Sequence, residues 1–187
     1  SRYKETVGMD KREVRKMIRS RKAVQTLDEL AVMSSDITAR LLAHVRVKAA
    51  RVILVYYSLP DEVGTHELVD RLVEMGKTVL LPRVRDAHTM TLHRYTTADD
   101  LQESALHIWE PSGPEYTDYD SIEVAVVPGM AFSSEGWRLG RGRGYYDRML
   151  PLLRNAYKIG VGFGFQIVSE IPTDKYDVPM DEVIVSR

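Results

Sequence analysis

The sequence predicts a single three-layer α/β/α domain, residues 1–187, built on a mostly parallel, Rossmann-like sheet with helices on both faces. Three observations point there. Residues 51–57 (RVILVYY) form a continuous apolar run rich in β-branched and aromatic side chains, as expected for a strand covered on both faces. A helical pattern and a second buried run, 78–81, follow within a short stretch, giving one β-α-β unit. Two more short apolar runs, 124–127 and 158–163, are flanked by glycine or proline.

Each element can be justified in order. Residues 9–22 (MDKREVRKMIRSRK) read as a helix capped by Asp10, with Val14, Met17 and Ile18 as its apolar stripe. Lys11, Arg15, Arg19 and Lys22 stack on one face, and residues 1–22 hold nine Lys/Arg against three Asp/Glu. A second helix spans 28–47, with Leu30, Met33, Ile37, Leu41 and Val45 inward. After strand 51–57 and the loop SLPDEVG, Thr65 caps a helix that runs to Met75, and Gly76 closes it. Strand 78–81 stops at Pro82. Residues 89–95 alternate like a strand, 98–103 read as a helical turn, and 110–123, with five acids and no base, as a surface loop. Strand 124–127 leads through a glycine- and arginine-rich loop to a helix over 144–153. Strands at 158–163 and 182–185 complete the chain.

Composition narrows the function. A formal net charge of −1 does not indicate a nucleic-acid or membrane surface, and the absence of cysteine excludes disulfides and thiolate chemistry. No apolar run reaches the roughly 18 residues of a bilayer span, and the basic N-terminal segment has no apolar signal core. A cytoplasmic protein is expected. The histidines (His44, His66, His88, His93, His107) show no metal spacing.

In open α/β sheets ligands bind beyond the C-terminal strand ends. Of the three loops there, 58–64, 82–86 and 128–144, the last carries the chemistry: PGMAFSSEGWRLGRGRGYYDR. Glycines 136, 140, 142 and 144 admit close backbone approach, and Arg138, Arg141, Arg143 and Arg148 supply cations where a helix begins. Tyr145 and Tyr146 add flat surfaces. The residues indicate an anion site, most simply for phosphate; a solvated turn or an RNA-binding Gly-Arg run are the alternatives. The loop matches neither a P-loop nor a dinucleotide fingerprint.

The run Gly136-Trp137-Arg138-Leu139-Gly140-Arg141-Gly142-Arg143-Gly144-Tyr145-Tyr146-Asp147 resembles the G-x-R-L-G-R-G-x-G-Y-Y-D signature of 5-formyltetrahydrofolate cyclo-ligases. The segments KREVR at 11–15, ILVYYSLPDEVGT, GKTVLLPRV, Trp109 and YDVPMDEV resemble that family in the same order, so the likeness covers essentially the whole chain. The resemblance implies ATP- and Mg2+-dependent conversion of 5-formyltetrahydrofolate to 5,10-methenyltetrahydrofolate by a monomer. It implies ATP contacts from Lys11, Arg12, Glu13, Val14 and Arg15, and from Arg138, Leu139, Gly140, Arg141, Gly142, Arg143, Gly144, Tyr145 and Tyr146. Arg141 and Lys11 become the expected catalytic cations, with Arg143 at a variable position. Leu59, Glu62, Gly64 and Trp109, with Arg141, Gly142, Arg143, Gly144 and Tyr145, become the folate contacts. Many relatives hold glutamate where this chain has Gly64, and Glu62 is the substitute. Tyr57 is either a further folate contact or core. Asp147 and Asp177 become the magnesium carboxylates, with Asp181 competing.

Overall fold

The computed structural model describes residues 4–187. It contains five α-helices and eleven β-strands joined by short 3-10 turns. Six strands make the main sheet: β1 (Val52–Leu54), β2 (Thr78–Val84), β3 (Met90–Tyr95), β6 (Val124–Val127), β9 (Tyr157–Gly162) and β11 (Glu182–Val185). Their order is β11-β9-β6-β1-β2-β3. Every neighbouring pair is parallel except β2 and β3. This is the mixed α/β fold with a mostly parallel sheet expected from the buried runs.

One sheet face is covered by α2 (Leu27–Ala43), α3 (Val45–Ala49) and α4 (His66–Glu74), which bury Leu30, Ile37, Leu41, Val47, Leu68 and Leu72 against Ile53, Val55, Val79 and Val126. The other face is covered by α5 (Tyr145–Met149), its 3-10 continuation at Leu150–Leu152, and Phe132. Helix α1 (Lys11–Ala23) lies instead on a separate sheet of order β10-β7-β8, formed by β7 (Ala131–Ser133), β8 (Arg138–Leu139) and β10 (Ile167–Val168). There Val14 and Ile18 pack on Met130, Ala131, Leu139 and Val168. A last hairpin pairs β4 (Leu101–Glu103) with β5 (Trp109–Pro111).

Local expectations fare unevenly. Asp10 caps α1 in a full capping box with Glu13. Gly76, at φ +83°, ends α4 with the expected left-handed residue; Gly76 N–H reaches the Val73 carbonyl at 2.9 Å and Lys77 N–H the Leu72 carbonyl at 3.2 Å. The single helix over 28–47 is two helices. His44 adopts an extended backbone (ψ 132°), and its Nδ1 accepts from Arg46 N–H at 3.0 Å, starting α3 afresh. Pro82 does not stop β2. Leu80 turns its carbonyl toward β1, accepting from Val55 N–H at 2.9 Å, so by alternation Pro82 faces the same side, beyond the end of β1. Its missing N–H therefore costs no ladder bond. The turn at 98–103 becomes strand after Asp100, and the loop at 110–123 begins as strand β5. The helix over 144–153 is five α-helical residues followed by a 3-10 turn at Pro151.

Phe132, fully buried, sits where three glycines make room; a Cβ at Gly160 would lie 2.5 Å from its ring and 3.0 Å from Met180 Cγ. Overpacking of that kind costs about 1–3 kcal/mol. Gly160→Ala is therefore expected to lower the urea midpoint. Combining it with Phe132→Leu should recover part of the loss, and simple additivity of the two effects would contradict this packing.

Candidate active site

Helix α1 presents its cationic edge to the C-terminal side of the sheet because Val14 and Ile18, fully buried, fix its rotation. Lys11 Nζ lies 3.0 Å from Asp177 Oδ2 and 3.3 Å from Asp174 Oδ2. One turn on, Arg15 Nε donates to the Gly140 carbonyl at 2.8 Å. Lys22, read from sequence as surface, is only 12% exposed in its side chain and reaches Asp61 at 3.5 Å. Arg12 and Glu13 are exposed, and Glu13 is engaged in the capping box. Val14 contributes packing: its side chain faces the small sheet, so what it supplies to the site is the placement of Lys11 and Arg15.

The segment 128–144 is not one open loop. Ala131–Ser133 and Arg138–Leu139 pair as a hairpin, with Gly136 at φ +92° in the turn. The signal was present: FSSEGWRL is two strand-like runs around a short turn containing glycine. Only residues 140–144 remain as the true loop. Beneath it lies Arg138, its side chain 7% exposed. Its Nε donates to the Pro128 carbonyl at 2.6 Å, one terminal nitrogen is 3.7 Å from Asp147 Oδ1, and its guanidinium stands 4.9 Å from the Tyr146 ring centre. Gly140 covers this guanidinium, and a Cβ there would come within 2.9 Å of it. Gly142, at φ +102°, lies beside the Arg15 guanidinium. Arg143 and its side chain are exposed. Tyr145 Oη donates to the Asp86 carbonyl and Arg148 Nε to the His88 carbonyl, each at 2.8 Å, which fastens loop 85–89 to the glycine loop.

The loop 58–64 is held rigidly. Ser58 and Thr65 exchange hydrogen bonds (Ser58 N–H to Thr65 Oγ1 at 3.1 Å, Thr65 N–H to Ser58 Oγ at 2.9 Å). Tyr56 Oη donates to the Val63 carbonyl at 2.8 Å, and Gly64 N–H to Ser34 Oγ at 2.8 Å. Thr65, expected as a side-chain cap, serves this loop and makes no cap bond to α4. Beside it opens a cleft of about 590 Å³ whose walls include Tyr57, Leu59, Glu62, Gly64, Ile108 and Trp109. Four residues assigned to folate by resemblance, separated by up to 50 positions, thus line one cavity. Tyr57 stacks on His66 at 3.8 Å between ring centres, 7° from parallel, so its ring forms wall rather than deep core. The hairpin β4–β5 carries Trp109, 49% exposed, to the cleft.

The cleft and the glycine loop meet at Arg141, which lies 3.4 Å from Asp61 Oδ1 and 3.6 Å from Glu62 Oε2. Burial pushes the Glu62 carboxyl above its ordinary value, against the Leu59 N–H and Arg141, which lower it. Asp147 is likewise raised by burial, with Arg138 opposing, and it also feels Asp177 and Lys11. Asp147 is held by Arg138, and Asp177 by Lys11. Asp181 does not join them: its Oδ2 accepts from Lys158 N–H at 2.8 Å near the opposite, N-terminal end of β9. Among the described residues no group of three or more His, Cys, Asp or Glu forms a metal cage. One or two carboxylates suffice for a magnesium ion when phosphate oxygens and water complete its octahedron, and Asp147 and Asp177 are of that donor chemistry.

With this geometry in place, the comparisons with known proteins agree. The 5-formyltetrahydrofolate cyclo-ligase family model matches residues 7–186. The 5-formyltetrahydrofolate cyclo-ligase of Mus musculus is 28% identical over 192 residues, covering 96% of this chain and 95% of its own. That of Escherichia coli K12 is 29% identical over 175 residues, covering 90% and 96%. The solved structure of Aquifex aeolicus 5,10-methenyltetrahydrofolate synthetase superimposes with a TM-score of 0.82 at 29% identity, over 94% of this chain and 89% of that one.

The buried carboxylate at Glu62 has a readable sign. Its folded-state pKa is raised above the ordinary 4.5, so the folded state holds its proton more tightly than the unfolded chain. The protein is thus stabilised by this group below about pH 4.5 and loses that contribution as pH rises through the higher folded value. Urea unfolding of the wild type and Glu62→Gln from pH 4 to 7 should show the wild type losing ground to the variant as pH rises. Parallel curves would mean that the carboxylate is not buried in solution.

Proposed function

The chain belongs to the 5-formyltetrahydrofolate cyclo-ligase family, a family of ligases, and on that premise we propose that it converts 5-formyltetrahydrofolate to 5,10-methenyltetrahydrofolate, consuming ATP with Mg2+ and releasing ADP and phosphate. The observation that carries this reading is a shared wall: Glu62 lines the Trp109 cleft and pairs with Arg141 of the glycine loop. A reaction that hands a phosphoryl group from one substrate to the other needs two such half-sites side by side.

In this scheme the formyl oxygen attacks the γ-phosphorus of ATP. The new O–P bond forms as the bond to ADP breaks. N10 then attacks the activated formyl carbon, gives up its proton, and closes the ring as phosphate leaves with the C–O electrons. No covalent nucleophile of the protein is required; the work is positioning and charge neutralisation. Lys11 exchanges Asp177 and Asp174 for polyphosphate oxygens, and Arg15, braced on Gly140, flanks the same chain of phosphates with the backbone of Gly142, Arg143 and Gly144. Arg141 balances the charge that develops on the transferring group. Arg138 acts from below, holding Asp147 and the loop in place. Leu59 and Trp109 give the pterin apolar and flat surfaces, and Glu62 offers it a hydrogen-bonding carboxyl where Gly64 has none. Magnesium, held by Asp147 and Asp177, would neutralise polyphosphate charge. The reading makes the protein a cytoplasmic monomer with small-molecule partners.

The direct test is incubation with 5-formyltetrahydrofolate, ATP and Mg2+, following the methenyl absorbance in the near ultraviolet. Turnover that is independent of ATP, or ATP hydrolysis indifferent to the folate, would sink the reading. Arg141→Ala and Lys11→Ala should each lower kcat by about 10²–10³ with the fold retained, the scale of losing one preorganised charge partner. Trp109→Ala should act chiefly on the folate KM.

A further inference from the structure

Arg141 stands between two glycines on a loop whose side chains are largely exposed, and its own side chain is 49% exposed. An arginine so placed has many rotamers, and side-chain entropy opposes fixing it in one. Among the described residues its ion pairs are with Asp61 and Glu62. These two acids are not equivalent. Glu62 turns its other oxygen inward to the Leu59 N–H, at 2.8 Å, and forms part of the cleft wall. Asp61 sits at the tip of the loop and makes no hydrogen bond within it. Its two oxygens are divided between two cations: Oδ1 takes Arg141 at 3.4 Å and Oδ2 takes Lys22 at 3.5 Å.

The backbone carrying Asp61 is the rigid partner. Ser58, Val63, Gly64 and Thr65 are all tied by hydrogen bonds, and Glu62 N–H closes a turn on the Leu59 carbonyl at 3.0 Å. Lys22 is nearly buried and belongs to α1, whose rotation is set by Val14 and Ile18. A half-exposed carboxylate on a hydrogen-bonded loop, shared with the largely buried Lys22 ammonium, therefore faces the half-exposed Arg141 guanidinium.

We infer that Asp61 is a positioning residue for the reaction: clamped by Lys22, it holds Arg141 at the junction of the two half-sites, so that the guanidinium is in place before the phosphoryl group transfers. The inference rests on the ligase reading above and adds to it a residue that touches neither substrate. It explains why a half-exposed ion pair, worth little to stability, is built across three segments distant in sequence. Its contribution is to the geometry of catalysis, where a misplacement of about 1 Å can cost 10²-fold in rate.

The test is a double-mutant cycle on turnover. Asp61→Asn, close in size and without charge, should lower kcat about tenfold, equivalent to 1.4 kcal/mol, while the KM for 5-formyltetrahydrofolate stays within about twofold and the thermal midpoint is essentially unchanged. In an Arg141→Ala background the same substitution should have no further effect. Lys22→Met, which leaves the loop untouched, should give a smaller loss that also disappears with Arg141. Equal effects of Asp61→Asn with and without Arg141 would overturn the inference while leaving the ligase reading intact. Absence of turnover in the wild-type protein would instead remove that reading, and the inference with it.

Discussion

A single buried guanidinium organises the candidate site. Arg138 has almost no access to water, and burial alone would disfavour its charge. It is tolerated because the Pro128 carbonyl, Asp147 and the Tyr146 face surround it. These partners belong to two pieces of the site: Pro128 follows the end of β6, and Tyr146 and Asp147 are neighbours at the start of α5. Satisfying Arg138 therefore fixes these two pieces relative to each other. It also dictates the sequence above it, since Gly140 can cross the guanidinium only without a Cβ. Part of what looks like a phosphate-binding glycine pattern is in fact the roof of this buried arginine.

On that base the site divides by mobility. Below are the main sheet and the hydrogen-bonded loop 58–64, both fixed. Above are residues 140–144, anchored at one end by Arg138 and at the other by Tyr145 and Arg148. The ion pairs of Lys11, Lys22 and Arg141 span these parts. They are partly exposed, so each is weak as a stabilising contact, and the partners of Lys11 can be exchanged for ligand oxygens at small cost. That is a suitable resting state for groups meant to grip an anion.

Much of this was legible in the residues, for identifiable reasons. Doubly covered strands announce themselves as unbroken apolar runs, and α1 declared its cap, its stripe and its basic face. What escaped were features set by context. Pro82 reads as a stop, yet its missing N–H falls where no neighbour waits. The continuous apolar period over 28–47 hides the break at His44. The hairpin at 131–139 was masked by the glycines and arginines that drew attention to it. In the site, the glycine loop was picked out by charge and pattern, and Lys11 and Arg15 by resemblance. Lys22 and Asp61 were not, because their pairing joins segments nearly forty residues apart and neither belongs to a motif. Trp109 came from resemblance alone; the short strand that carries it has no periodic signal.

The attachment of α1 has a consequence for how the molecule would fail. The helix is not part of the main core. Its Val14 and Ile18 join five other buried residues in a satellite cluster, with its leading segment pinned by Thr6 to Ser169 and Glu170. Small cooperative units of this size open at lower free energy than the sheet beneath them. Half of the cations at the proposed nucleotide site would leave with it, while the main sheet stayed folded. Heat would then inactivate the protein before it melted it, and a bound nucleotide would act as the rivet that joins the two units into one cooperative whole.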